Sequence, residues 1–214
     1  MKYLNLTFLV FIITFFSACS FKQPLNLNEI NSISLNKNIV VAGIPQTYQT
    51  PISVGIGVGG MVSSHVGVGI NTFFNPRFSN NEDLRLQDSF YKNGIQIASL
   101  IENEFTFQMK NDELFKNRFV SFGSDYVIYL FVPKYSLQNA TFSSKAQIKM
   151  TIELKVLDKN NKIIYEDKKD NILFSENFIF DEIQILQSKE ALEKASNFAI
   201  RQVVTRLILQ MKKN

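Results

Sequence analysis

From Gln147 to Leu157 the chain reads QIKMTIELKVL, and polar and apolar residues alternate almost without a break. Ile148, Met150, Ile152, Leu154 and Val156 share one parity, while Gln147, Lys149, Thr151, Glu153 and Lys155 share the other. A period of two is the geometry of a β-strand, because successive Cβ atoms point to opposite faces. One apolar face and one polar face fit an antiparallel sheet covered on one side and solvated on the other. The rest of the chain must therefore supply neighbouring strands and an apolar cover.

The neighbours are legible nearby. Asp158 to Lys162 is a polar turn, after which Ile163, Ile164 and Tyr165 pair back as a hairpin. Asp125 to Val132 is a further strand, closed by Pro133. Ile33, Leu35, Ile39, Val40 and Val41 form a first strand that ends near Gly43. The segment 171–186 extends the sheet edge and then becomes a loop.

Two amphipathic helices supply the cover. After a loop over Asn71 to Leu86, the spacing of Phe90, Gly94, Ile97, Ala98, Ile101, Phe105 and Met109 predicts one helix over 88–110. Gly94 lies on its apolar stripe and would permit close approach to the sheet. Ser188 opens the last helix, with Lys189, Glu190 and Ala191 as good helix formers. There Leu192, Ala195, Ala199, Val203 and Leu207 make one stripe, with Ile200, Val204, Ile208 and Met211 beside it. So wide an apolar surface requires broad burial. The expected fold class is α+β: an antiparallel sheet with two helices packed on one face, plus a glycine-rich hairpin.

That hairpin, residues 52–71, contains VGIGVGGMVSSHVGVGI. Val54, Ile56 and Val58 alternate with glycines, and so do Val66, Val68 and Ile70. Folded about Val62, the two arms leave one face of Val and Ile and one of bare glycine backbone. Such a face suits close packing of another element, a partner-binding or self-associating ribbon, or a membrane-inserting hairpin. The arms are shorter than the ~9–11 residues of a lipid-spanning strand. The crowded glycines do not make a dinucleotide fingerprint, which must open a helix. His65, the only histidine, sits at the turn, where solvation is its ordinary state.

At the other end of the scale of polarity, residues 1–18 hold one charge, Lys2, and an apolar run from Leu6 to Phe16. This run is too short to cross a bilayer core of ~30 Å at ~1.5 Å per residue, and it has the length of a signal-peptide core. Ser17, Ala18 and Cys19 follow, so that Phe16-Ser17-Ala18-Cys19 resembles a bacterial lipobox. The resemblance implies cleavage before Cys19 and a covalent lipid on its thiol, with two or three acyl chains giving stable anchoring. Ser20, rather than Asp, follows the cysteine, which by the same resemblance implies the outer membrane. The expected organisation is a signal peptide over 1–18, a flexible tether over 19–31 and one periplasmic domain over 32–214.

Composition narrows the function classes. One Cys and one His exclude a disulfide framework and a Cys- or His-rich metal cage. A net charge of +4 is too mild to demand nucleic acid. No nucleophile, base and orienting group occur together. Glu102, Glu104 and the pairs Asp112-Glu113, Glu166-Asp167 and Asp181-Glu182 read as solvated or structural charge. No catalytic residue, metal ligand or cofactor is expected beyond the lipid on Cys19.

Lipobox, tether, helix, antiparallel strands and a final amphipathic helix together resemble the small α/β bacterial envelope lipoproteins. These are the LptE-like LPS-assembly lipoproteins, the ABC-transport auxiliary lipoproteins and the TolB-N-like group. The order helix, Glu113-Leu114-Phe115, then Ser124-Asp125-Tyr126 opening a strand is similar to the second of these. The resemblance implies a non-enzymatic lipoprotein that assists envelope assembly or lipid or LPS transport by binding an envelope protein. The candidate partner surfaces are the hairpin residues Val54, Ile56, Val58, Val66, Val68 and Ile70, and the sheet lysines Lys149 and Lys155. The alternative is an oligomeric secretion or channel component assembled through the glycine hairpin.

Overall fold

The computed structural model describes residues 25–42, 81–140, 143–173 and 180–213. Strands β1 (Ile33–Leu35), β2 (Val40–Val41), β3 (Tyr126–Asn139), β4 (Lys145–Asp158), β5 (Ile163–Asp170) and β6 (Phe180–Asp181) form one sheet. The helices are α1 (Asn81–Lys92), α2 (Ile97–Asn111), α3 (Glu182–Gln187) and α4 (Lys189–Met211). The chain is α+β, as its periodicities predict.

The alternating strand is β4, at the centre of the sheet, with β3 on one side and β5 and β6 on the other. Its pairings with β3, β5 and β6 are antiparallel. The expectation of an antiparallel sheet holds for this body. The edge beyond β3 differs, because β1 and β2 both add to it in parallel. The expected first strand is thus two short strands, with Asn38 donating its N–H to the Asn36 side chain between them.

Pro133 does not close β3, which continues to Asn139. The register shifts between Phe131 and Lys134, a bulge that admits a residue with no N–H to donate. The turn after β4 forms as expected. Asp158 accepts from the N–H groups of Asn160 and Lys162 through its side chain, and Asn161 takes the left-handed conformation that asparagine tolerates.

The predicted helix over 88–110 is two helices. Gly94 has φ +64°, its N–H donates to Tyr91 O, and the Ile95 N–H donates to Phe90 O. This is a Schellman cap, with Ile95 and Phe90 both buried as its hydrophobic contact. Gly94 therefore ends α1 and does not bring a helix onto the sheet. The apolar stripe survives the break, since Phe90, Ile97, Ile101, Phe105 and Met109 are all buried. The helix also starts earlier than expected, at Asn81, so 81–86 is not loop. Similarly, the loop expected before residue 186 is partly helix α3, tied to α1 by the Ser89 hydroxyl donating to Leu186 O.

Helix α4 begins where expected, with the Ser188 hydroxyl accepting the Ala191 N–H. Both of its stripes are buried. They pack in one core with Ile148, Met150, Ile152, Leu154 and Val156 of β4 and with the α2 stripe. The expected tether is shorter than 19–31. Leu25, Leu27 and Ile30 are buried in the same core, because three large apolar side chains at this spacing are more stable packed than in water.

Candidate functional site

The sequence assigns Cys19 to lipidation and Val54, Ile56, Val58, Val66, Val68 and Ile70 to a partner surface. All seven, the hairpin 52–71 and His65 lie outside the described residues. Lys149 and Lys155 lie on the polar face of β4, opposite the helices.

That face is a ladder of paired charge. Register places Tyr129 and Glu166 on either side of Lys155, and Phe131 and Lys168 on either side of Glu153. Lys155 meets Glu166 at 3.9 Å and Lys168 meets Glu153 at 2.8 Å. One step further, the Thr151 hydroxyl donates to Asp170 at 2.6 Å. Signs thus alternate along and across the strands, an arrangement that favours this register over a slipped one. Lys155 is consequently not a free cation. Lys149, opposite Ser136, forms no ion pair with the described residues. The two lysines do not make a basic patch together, because Glu153 and the pairing of Lys155 lie between and beside them.

The polar face is also less wet than alternation predicts: Gln147 and Thr151 are buried. Thr151 is flanked on both sides, by Lys134 of β3 and Asp170 of β5.

Of the carboxylates that the sequence brings together, all but the exposed Glu113 meet a partner within the fold. Asp112 accepts the Leu114 N–H and pairs with Lys212 at 2.7 Å. Glu182 accepts from Arg85 and Asn139. Asp181 accepts from Ser144 at 2.7 Å and Lys145 at 3.3 Å, contacts that hold its carboxyl below the usual carboxylate range. Glu104 pairs with Arg201 and Glu102 with Lys37. Glu166 and Asp167 point to opposite faces of β5, and Asp167 is buried against Lys169 at 2.8 Å. Among the described residues, no group of three or more His, Cys, Asp or Glu could hold a metal ion, and no helix is long and apolar enough to cross a membrane.

One residue that periodicity does not mark is Phe122. It is 86% exposed, at the tip of the turn entering β3, and Gly123 beside it has φ +70°. Exposure of a turn side chain has no local sequence signal, since phenylalanine is equally suited to folding inward.

No family model matches the sequence, and no curated protein matches it. Solved structures share parts of the architecture at low identity. A hypothetical protein from Chlamydia trachomatis is 6% identical, covering 86% of this chain and 99% of its own, with a TM-score of 0.37. The PelC dodecamer subunit from Paraburkholderia phytofirmans is 9% identical, covering 87% and 93%, with a TM-score of 0.34. A minor lipoprotein from Acinetobacter baumannii is 8% identical, covering 83% and 92%, with a TM-score of 0.27. None superposes closely enough to inform the site.

Proposed function

We propose that this chain is a non-enzymatic, lipid-anchored bacterial envelope protein. It is held at the outer membrane through Cys19, faces the periplasm, and assists envelope assembly or lipid transport by binding a partner protein. The observation that carries the reading is the position of the chain's only cysteine. Cys19 ends an apolar run of signal-peptide length, and Leu25, six residues on, is buried in the core. A lipid there would tether a folded body directly to a bilayer. The polar face of β4, with Lys149 unpaired among described residues and the Glu153–Lys168 and Lys155–Glu166 pairs beside it, is the candidate partner surface on this body. The consumption of the paired carboxylates in fold-holding contacts favours binding over catalysis.

The test is metabolic labelling with palmitate, followed by crosslinking in cells. The wild-type chain is expected to incorporate palmitate and to fractionate with membranes, and Cys19→Ala is expected to do neither. A membrane-bound, unlabelled Cys19→Ala protein would overturn the anchor. A Lys149→Glu protein is expected to lose the crosslinked partner while staying membrane-bound and folded; an undiminished crosslink would remove this face as the partner surface.

A further inference from the structure

One end of the sheet gathers three features. The first is the entry of the chain. The turn Leu27–Glu29 is held there by Arg118, whose guanidinium donates to Leu27 O at 2.6 Å, and β1 then runs parallel to β3 from the same end. The second is the turn bearing Phe122. The third is the β4–β5 turn, because Tyr126 at the start of β3 pairs with Asp158 at the end of β4. This turn exposes Lys159, Lys162 and Ile163, the last by 45%.

Single exposed apolar residues are ordinary, but Phe122 is fixed as well as exposed. Its turn is tied to the β1 segment on both sides, and before Phe122 the Val120 N–H donates to Ile33 O at 2.9 Å. The Asp125 N–H donates to the Ser32 hydroxyl at 3.0 Å, and the Ser34 and Ser124 hydroxyls lie 2.7 Å apart. Ser124 also lies 2.7 Å from Tyr126 O, to which its hydroxyl donates. The neighbours of Phe122 are Ser121 and Gly123, too small to shield it. The turn thus holds an aromatic ring outward on a rigid support.

We propose that this end of the sheet rests on the bilayer surface, with Phe122 inserted at the headgroup boundary. The inference rests on the lipid-anchor reading. Six residue steps separate Cys19 from Leu25, at most about 20 Å of extended chain, so an anchored chain must bring its entry end to the membrane. Among the described residues, Phe122 is the large apolar side chain that this end presents most fully. Lys159, Lys162 and Arg118 are offset by Glu29, Asp125 and Asp158 at the same end, so the attraction is apolar and interfacial rather than a matter of anionic lipid. The opposite end, where Lys145 pairs with Asp181, is a strand length away. β3 and β4 each have 14 residues, about 45 Å at ~3.3 Å per residue.

The chain contains no tryptophan, so a single one can be placed as a reporter. Phe122→Trp and, at the far end, Ile183→Trp are made in the full-length lipoprotein, labelled with palmitate in cells. Each is reconstituted in vesicles of phosphatidylethanolamine, with and without phosphatidylglycerol, containing brominated lipid. The Phe122→Trp emission is expected to shift to the blue and to be quenched severalfold more than that of Ile183→Trp, with little effect of phosphatidylglycerol. Equal or absent quenching in palmitate-labelled protein would overturn the orientation and leave the anchor standing. Quenching that appears only with phosphatidylglycerol would overturn the apolar mode of contact. Absence of the palmitate label would overturn the anchor and this orientation with it.

Discussion

The Asn171 side chain stands in for strand backbone opposite Met150. Its Oδ1 accepts the Met150 N–H at 2.7 Å and its Nδ2 donates to Ile148 O at 2.8 Å, while its own N–H donates to Met150 O at 3.1 Å. β5 ends at Asp170 and β6 pairs with β4 only around Lys145 and Ala146. Asn171 fills the gap between them along the same edge. Asn171→Ala would leave a buried donor and a buried acceptor without partners, at ~1–3 kcal/mol each. The expected loss is about 2–4 kcal/mol in urea unfolding at unchanged slope. A loss under about 1 kcal/mol would mean that water enters the gap.

Tyr165 presents the opposite case, a buried hydroxyl with no hydrogen-bond partner among the described residues. Burial, reinforced by the negative charge of Asp167, pushes its phenol well above the usual value of 10.0. A raised folded value means stability that is complete below pH 10 and lost as pH rises beyond it. Tyr165→Phe is expected to remove that alkaline loss and, at neutral pH, to be neutral or stabilising by up to about 1 kcal/mol. Thermal unfolding at neutral and alkaline pH checks both.

Asp181 titrates in the other direction. Its lowered value, set first by the Ser144 hydroxyl and then by Lys145, gives stability that is present above the unfolded value and lost as pH falls below 3.8. Ser144→Ala should move the Asp181 titration, followed by NMR, upward toward that value. An unchanged titration would show that Lys145 alone sets it.

At Gly94 a Cβ would meet nothing within 4 Å, so the cost of Gly94→Ala is backbone strain alone, ~1–2 kcal/mol for the left-handed conformation. Gly94→Asn should cost less, because asparagine adopts that conformation more readily. Equal losses in thermal unfolding would point to a packing cause instead.

The ladder of charge on β4 and β5 is tested by exchange. Lys168→Glu sets two carboxylates face to face and Glu153→Lys two ammonium groups, so each single change should destabilise by about 0.5–1 kcal/mol. The double exchange should recover most of that loss, and the recovery should shrink in high salt. Full additivity of the two changes would remove the coupling.

Several residues of the candidate surfaces were legible only as chemistry. Lys149 and Lys155 could be placed on the polar parity of one strand, but parity does not say which charges lie on the neighbours. Glu166 is eleven residues from Lys155 in sequence, and only the hairpin register brings them together. Phe122 was not legible at all, since its outward position depends on Ser32 and Ser34, some ninety residues upstream.

The sequence by itself determined those features that covalent geometry repeats along the chain. The strand alternation of β4, the double stripe of α4, the Ser188 cap and the Asp158 turn all depend on residues within a few positions of one another. The tertiary structure decided what depends on distant partners. It added β1 and β2 to β3 in parallel, carried β3 through Pro133 on a bulge, and buried Leu25, Leu27 and Ile30 where a polar tether was expected. It also divided one apolar stripe between two helices at Gly94. The stripe depends only on which side chains must leave water, and both helices meet that need. Where the backbone turns between them depends on the surface they have to cover.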